Sequence, residues 1–122
     1  GSPLHALCLQ SGLIVCTYAD RWNSGSFRAT VSSDGGQTWQ HEQTRVLHGG
    51  LPKPSTRLSG PGQWLGGTGT AQLSDGRVFV FYSVPDIRNL KETEAAKTTK
   101  GHSYVAGNIV TEAFLSGGDT SN

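Results

Sequence analysis

The run Leu7-Cys8-Leu9-Gln10-Ser11-Gly12-Leu13-Ile14-Val15-Cys16-Thr17-Tyr18 recurs without gaps as Ala71-Gln72-Leu73-Ser74-Asp75-Gly76-Arg77-Val78-Phe79-Val80-Phe81-Tyr82. The offset is 64 residues, Leu7 falling on Ala71. Each copy reads as a strand, a tight Gly-containing turn and an apolar strand ending in Tyr, which is the pattern of a β-hairpin. A hairpin that appears twice at a long, fixed interval predicts two copies of one supersecondary unit. The second strands, Leu13–Tyr18 and Val78–Tyr82, are nearly continuous in apolar residues. That predicts burial on both faces, as for strands held between packed sheets.

More strand pattern follows each hairpin. In the first copy it covers 26–31 and Gln40–Leu47, with Ser32-Ser33-Asp34-Gly35-Gly36-Gln37-Thr38-Trp39 between them. Asp34 can accept bonds from backbone N–H groups one or two residues ahead, as in an Asx turn. Gly35 and Gly36 permit the positive φ that tight hairpins need. Ser32 and Thr38 can bond each other or the turn backbone, and Trp39 offers a large face to bury. In the second copy His102–Asn108 and Ile109–Leu115 read as strands. Each unit thus has about four strands, the proportions of a propeller blade.

The expected organisation is a tag remnant at 1–2, a first unit at 3–48, a connecting loop at 49–67, a second unit at 68–115 with an insertion at 85–101, and a tail at 116–122. The connecting loop is rich in Gly and Pro and holds Arg57 and Trp64. The insertion, rich in Lys, Glu and Thr, reads as a solvated loop.

With 17 Gly and 34% hydrophobic residues, the composition suits a turn-rich all-β protein. A formal net charge of +1 and no dense Lys/Arg cluster argue against nucleic acid. No apolar run approaches the ~20 residues of a membrane helix, and the N-terminus lacks a signal-peptide pattern. The chain therefore reads as soluble, with its compartment unassigned. Cys8 and Cys16 read as buried free thiols rather than a disulfide. The four histidines show no ligand spacing, so no metal and no cofactor is expected.

Meander topology sorts the loops. Turns one-to-two and three-to-four of a unit share one end of its sheet, which holds Ser11-Gly12, Asp75-Gly76 and the Asp34 turn. Loops two-to-three and the connection between units share the other. That second end collects Asp20, Arg21, Trp22, Arg57 and Trp64, the candidate ligand-binding residues. Arg can grip a carboxylate through two parallel bonds, and Trp can stack on the apolar face of a sugar ring. Equally, Arg21 can be a surface residue and Trp22 a packing residue.

The Ser32, Asp34, Gly36, Thr38 and Trp39 pattern and the two hairpin repeats resemble the sialidase-like Asp-box (BNR-repeat) β-propeller family. The resemblance covers about residues 4 to 115, or two blades, and gives the Asp-box residues a structural role. Propellers of this family typically have six four-stranded blades. Its sialidases hold the substrate carboxylate with three arginines and use a Tyr nucleophile with a Glu partner and an Asp acid/base. This chain does not map onto that set: the opening Arg-Ile-Pro segment is absent, and Tyr18 and Tyr82 fall at repeat positions expected in the core. The catalytic residues are therefore unassigned.

Two units of this kind leave sheet faces uncovered, so a homo-oligomer, dimer or trimer, is expected. The function implied is that of a glycan-related propeller segment without complete catalytic machinery in one chain. The alternatives are a lectin-like carbohydrate-binding oligomer, an exo-glycosidase with a site built across subunits, and a structural or interaction module.

Overall fold

The computed structural model describes residues 4–20, 25–49, 67–86 and 102–117, which form two antiparallel sheets and almost no helix. Sheet A runs in sequence order through β1 (Leu4–Cys8), β2 (Ile14–Asp20), β3 (Ser26–Ser32) and β4 (Arg45–His48). Sheet B runs through β5 (Thr68–Gln72), β6 (Val78–Asp86) and β7 (His102–Val110). The fold is all-β.

The repeated hairpins have one register. In β1–β2, Leu4 lies opposite Tyr18 and Cys8 opposite Ile14. In β5–β6, Thr68 lies opposite Tyr82 and Gln72 opposite Val78, which is the same pairing moved by 64 residues. The turns match bond for bond. Leu9 N–H donates to Leu13 O (2.8 Å) and Gly12 N–H to Leu9 O (2.9 Å), while Leu73 N–H donates to Arg77 O (2.7 Å) and Gly76 N–H to Leu73 O (3.0 Å). Gly12 and Gly76 sit at φ 93° and 91°, the left-handed conformation that closes a three-residue hairpin loop.

Along β2, buried Val15, Thr17 and Ala19 alternate with half-buried neighbours. Along β6, Val78, Val80, Tyr82 and Val84 are buried and Phe81 is 39% exposed. The expectation of burial on both faces is therefore corrected. One face of each sheet is core, and the other stays partly open because no described strand packs on it. The two inward faces meet. Phe27 stacks on Tyr82 with ring centroids 4.4 Å apart and planes 18° apart. Val15, Ala29, Val31, Val78, Val80 and Val84 belong to the same buried cluster. Burial of each of these valines and of Phe27 contributes about 1.5–3 kcal/mol, and the aromatic stack about 0.5–1.5 kcal/mol more. Thr17 and Thr68 stitch the interface: the Thr17 hydroxyl donates to Thr68 Oγ1 (2.7 Å), which donates to Thr17 O (3.1 Å).

The outer parts of the units diverge. Among the described residues sheet B has three strands rather than four. β7 continues straight through Asn108 and Ile109 to Val110, and Glu112–Leu115 is a single helical turn, α1, instead of a strand. Asn108, a residue type that favours turns, stays extended here, its side chain accepting the Tyr82 hydroxyl and donating to Leu47 O at 3.1 Å. Thr111 then caps the helix, its hydroxyl accepting the Phe114 N–H at 3.0 Å, with Glu112 in the first turn. Leu115 is fully buried and belongs to the same hydrophobic cluster. In sheet A the stretch expected as a strand from Gln40 instead makes a short 3-10 turn at His41–Gln43, and β4 begins at Arg45. β4 carries a bulge against Phe27 and Arg28. The cysteines are free, but Cys8 is exposed and Cys16 half-buried, because both lie on the outward face of sheet A.

Candidate functional site

The registers define two ends. At one, Ile14 lies opposite both Cys8 and Ser32, and Val78 opposite both Gln72 and Val110. The turn ends of the two sheets meet there. Gln10 N–H donates to Gln72 Oε1 (2.8 Å), and Ser11 Oγ donates to Glu112 Oε1 (2.5 Å). At the other end, Asp20 lies opposite Ser26.

The Ser32–Trp39 turn occupies the first end and is bonded to itself. Asp34 Oδ1 accepts Ser32 Oγ–H and Thr38 N–H, each at 2.8 Å, and Asp34 Oδ2 accepts the Thr38 hydroxyl. Gly36 N–H donates to Ser32 Oγ at 2.9 Å. The reach of Asp34 is therefore four residues, not the one or two expected of an Asx turn. The Thr38 hydroxyl first, with the Thr38 amide and Ser32, holds the Asp34 carboxyl down at about 2 from an ordinary 3.8. Gly35 and Gly36 both have positive φ, 76° and 92°. The half-buried Trp39 ring lies 3.9 Å from where a Gly36 Cβ would stand. With its polar atoms engaged internally, this turn is a structural clasp.

Beside it an open cleft of about 360 Å³ is lined by Ser11, Leu13, Ser33, Glu112 and Ser116. Its one carboxylate, Glu112, is held by Ser11.

Of the predicted ligand-binding residues, Asp20 stands at the opposite end. Asp20 is half-buried at the end of β2, with Oδ2 3.7 Å from Arg28 Nε. Arg28 Nε–H also donates to Ser26 Oγ at 2.9 Å. Tyr18, opposite Arg28, shares the face. Burial pushes the Tyr18 hydroxyl up in pKa, with the Arg28 charge opposing. Arg21, Trp22, Arg57 and Trp64 lie outside the described residues. Asp20 is thus joined by three residues absent from the predicted set: Tyr18, Ser26 and Arg28. Alternation along β2 and β3, read with a tight β2–β3 pairing, places all four on one face. That signal was present in the sequence.

Of the two repeat tyrosines, Tyr82 is in the core. Its hydroxyl donates to Asn108 Oδ1, and burial raises its pKa. Tyr18, at the matching position, faces outward and is only half-buried, because no third described sheet covers sheet A there.

Among the described residues no group of three His, Cys, Asp or Glu side chains is arranged to hold a metal ion. Among the same residues no helix is long and apolar enough to cross a membrane. No protein-family model matches the chain, and no curated protein or solved structure matches it.

Proposed function

We propose that this chain is a segment of a sialidase-like β-propeller, its two sheets being consecutive blades, and that it takes an acidic glycan at the end of the sheets that carries Asp20. The observation that carries this reading is the self-bonded Ser32-Asp34-Gly36-Thr38 turn closing the outer part of a four-stranded sheet whose inner hairpin recurs in the next sheet. The face-to-face packing of consecutive sheets supports it. In chain order Arg21 and Trp22 follow Asp20 between β2 and β3, and Arg57 and Trp64 fall between β4 and β5, the connections expected at the end opposite the clasp. Arginine suits a sugar carboxylate and tryptophan an apolar ring face.

Within this reading the binding role is favoured over catalysis by one chain. Asp20, the acid of the predicted set, is engaged by Arg28. Glycan-array binding by the purified protein, compared with Arg21→Ala and Trp22→Ala, tests the proposal. Binding of sialylated or other acidic glycans that both substitutions abolish is the expected result; a wild-type protein that binds no glycan rejects it. Hydrolysis of a fluorogenic sialoside would replace the binding role with catalysis.

A further inference from the structure

The way sheets A and B pack on each other says what fits the faces they leave open. The core-facing side of sheet A carries Val15, Thr17, Ala19, Phe27, Ala29 and Val31. Moved by the repeat offset, Val15, Thr17 and Ala19 become Phe79, Phe81 and Ser83, which lie on the outward side of sheet B. Conversely, the core-facing Val78, Val80, Tyr82 and Val84 of sheet B correspond to Ile14, Cys16, Tyr18 and Asp20 on the outward side of sheet A. The internal interface thus joins two different kinds of face, and among the described residues one of each kind remains partly open, although Ser26, Thr30 and Ser32 on the outward side of β3 are buried. Among the described residues, five of the six exposed large hydrophobic ones stand on these faces: Leu4 (69% exposed) and Val46 (49%) on sheet A, Val105 (75%), Ile109 (52%) and Phe81 (39%) on sheet B. The described outward residues of sheet B, on β5, β6 and β7, include no charged side chain.

We propose that a second copy of this chain seats the outward face of its sheet A on the outward face of sheet B, repeating between chains the packing seen within one. The proposal draws on the repeat register and not on the glycan reading. It deepens the blade reading by naming the occupant of the open faces. It also names contacts. Within the chain the Thr17 hydroxyl meets those of Thr68 (2.7 Å) and Thr70 (3.4 Å). The matching residues are Phe81 on one copy and Leu4 and Ala6 on the next, an apolar contact replacing a polar one. Phe27, which stacks on Tyr82, corresponds to Val105, because Tyr18 lies opposite Arg28 and Tyr82 opposite Ala106. Val105 therefore meets Tyr18 of the next copy. Such an interface is head-to-tail, so it either closes into a ring or continues.

Sedimentation velocity over a micromolar concentration series tests the association. Wild type is expected to rise above the monomer mass with concentration. Phe81→Asp and Leu4→Asp, both at exposed positions, are each expected to weaken assembly at least about tenfold. Far-UV circular dichroism of each variant checks that its sheets remain. The orientation is tested by oxidation in a Cys8→Ser, Cys16→Ser background, mixing protein carrying only Leu4→Cys with protein carrying only Phe81→Cys. A disulfide between the two different proteins is expected. A wild type that stays monomeric overturns the proposal, as does association that yields only disulfides between identical proteins. Loss of glycan binding with assembly intact would leave this proposal standing and remove the glycan reading.

Discussion

In sheet A the chain leaves β3 at Ser32 and is turned by the Asp34 network toward a fourth strand; in sheet B it leaves β7 at Val110 and enters a helix capped by Thr111. Ser32 and Val110 occupy matching places, opposite Ile14 and Val78. Up to that point the two sheets follow one plan. Beyond it, local chemistry decides. Two glycines and an aspartate fold the chain back on itself, whereas Thr111 and Glu112 start a helix that sends Leu115 into the core. The paired hairpin is set by short-range bonds and alternation, so it repeats faithfully, while the element after it depends on its own few residues.

The comparison can be broken at the shared core first. Phe27→Ala removes one half of the stack on Tyr82 and should cost about 3–5 kcal/mol. In denaturant titrations followed by fluorescence and circular dichroism, both sheets should lose structure in one transition. Separate transitions, with sheet B unmoved, would mean that the units are independent. Leu115→Ala tests whether the helix of the second unit does the work of the fourth strand that sheet B lacks among the described residues. Its side chain is fully buried, so a loss of about 2–4 kcal/mol is expected. A loss below ~0.5 kcal/mol would show the helix to be ornamental.

The equivalence of the inner turns can be sharpened with Gly12→Ala and Gly76→Ala. Both glycines have positive φ and open space where a Cβ would stand, so the strain is conformational and should be about 1 kcal/mol at each. The two losses should agree within about 0.5 kcal/mol, near the error of such measurements. The smallest effect belongs to the clasp. The Asp34 carboxyl is held at about 2, below its ordinary 3.8. Its contribution is therefore fully present above about pH 4 and fades as the pH falls toward 2. Asp34→Asn should flatten that part of the stability–pH curve and leave the neutral-pH sheets in place. An unchanged acid limb would remove the clasp from the account.

The inner hairpins were legible in the sequence because alternation and turn glycines are local signals. The Asp34 turn was legible for the same reason, though its bond to Thr38, four residues on, was not. The strand expected over Ile109–Leu115 failed because an apolar run that short fits helix or strand, and the cap at Thr111 decided between them. Burial on one face rather than two depended on what packs beside each sheet, which no run of apolar residues reports. At the candidate site Asp20 was picked out by its loop position, but its partners Ser26 and Arg28 come from the next strand and needed the β2–β3 register.

The central claim is that the two repeated units pack face to face in one chain, and the Phe27–Tyr82 pair reads this out most directly. Nuclear Overhauser spectroscopy of the wild-type protein should give cross-peaks between the two rings, whose centroids are 4.4 Å apart. Cross-peaks within each hairpin, with none between these rings, would contradict the account.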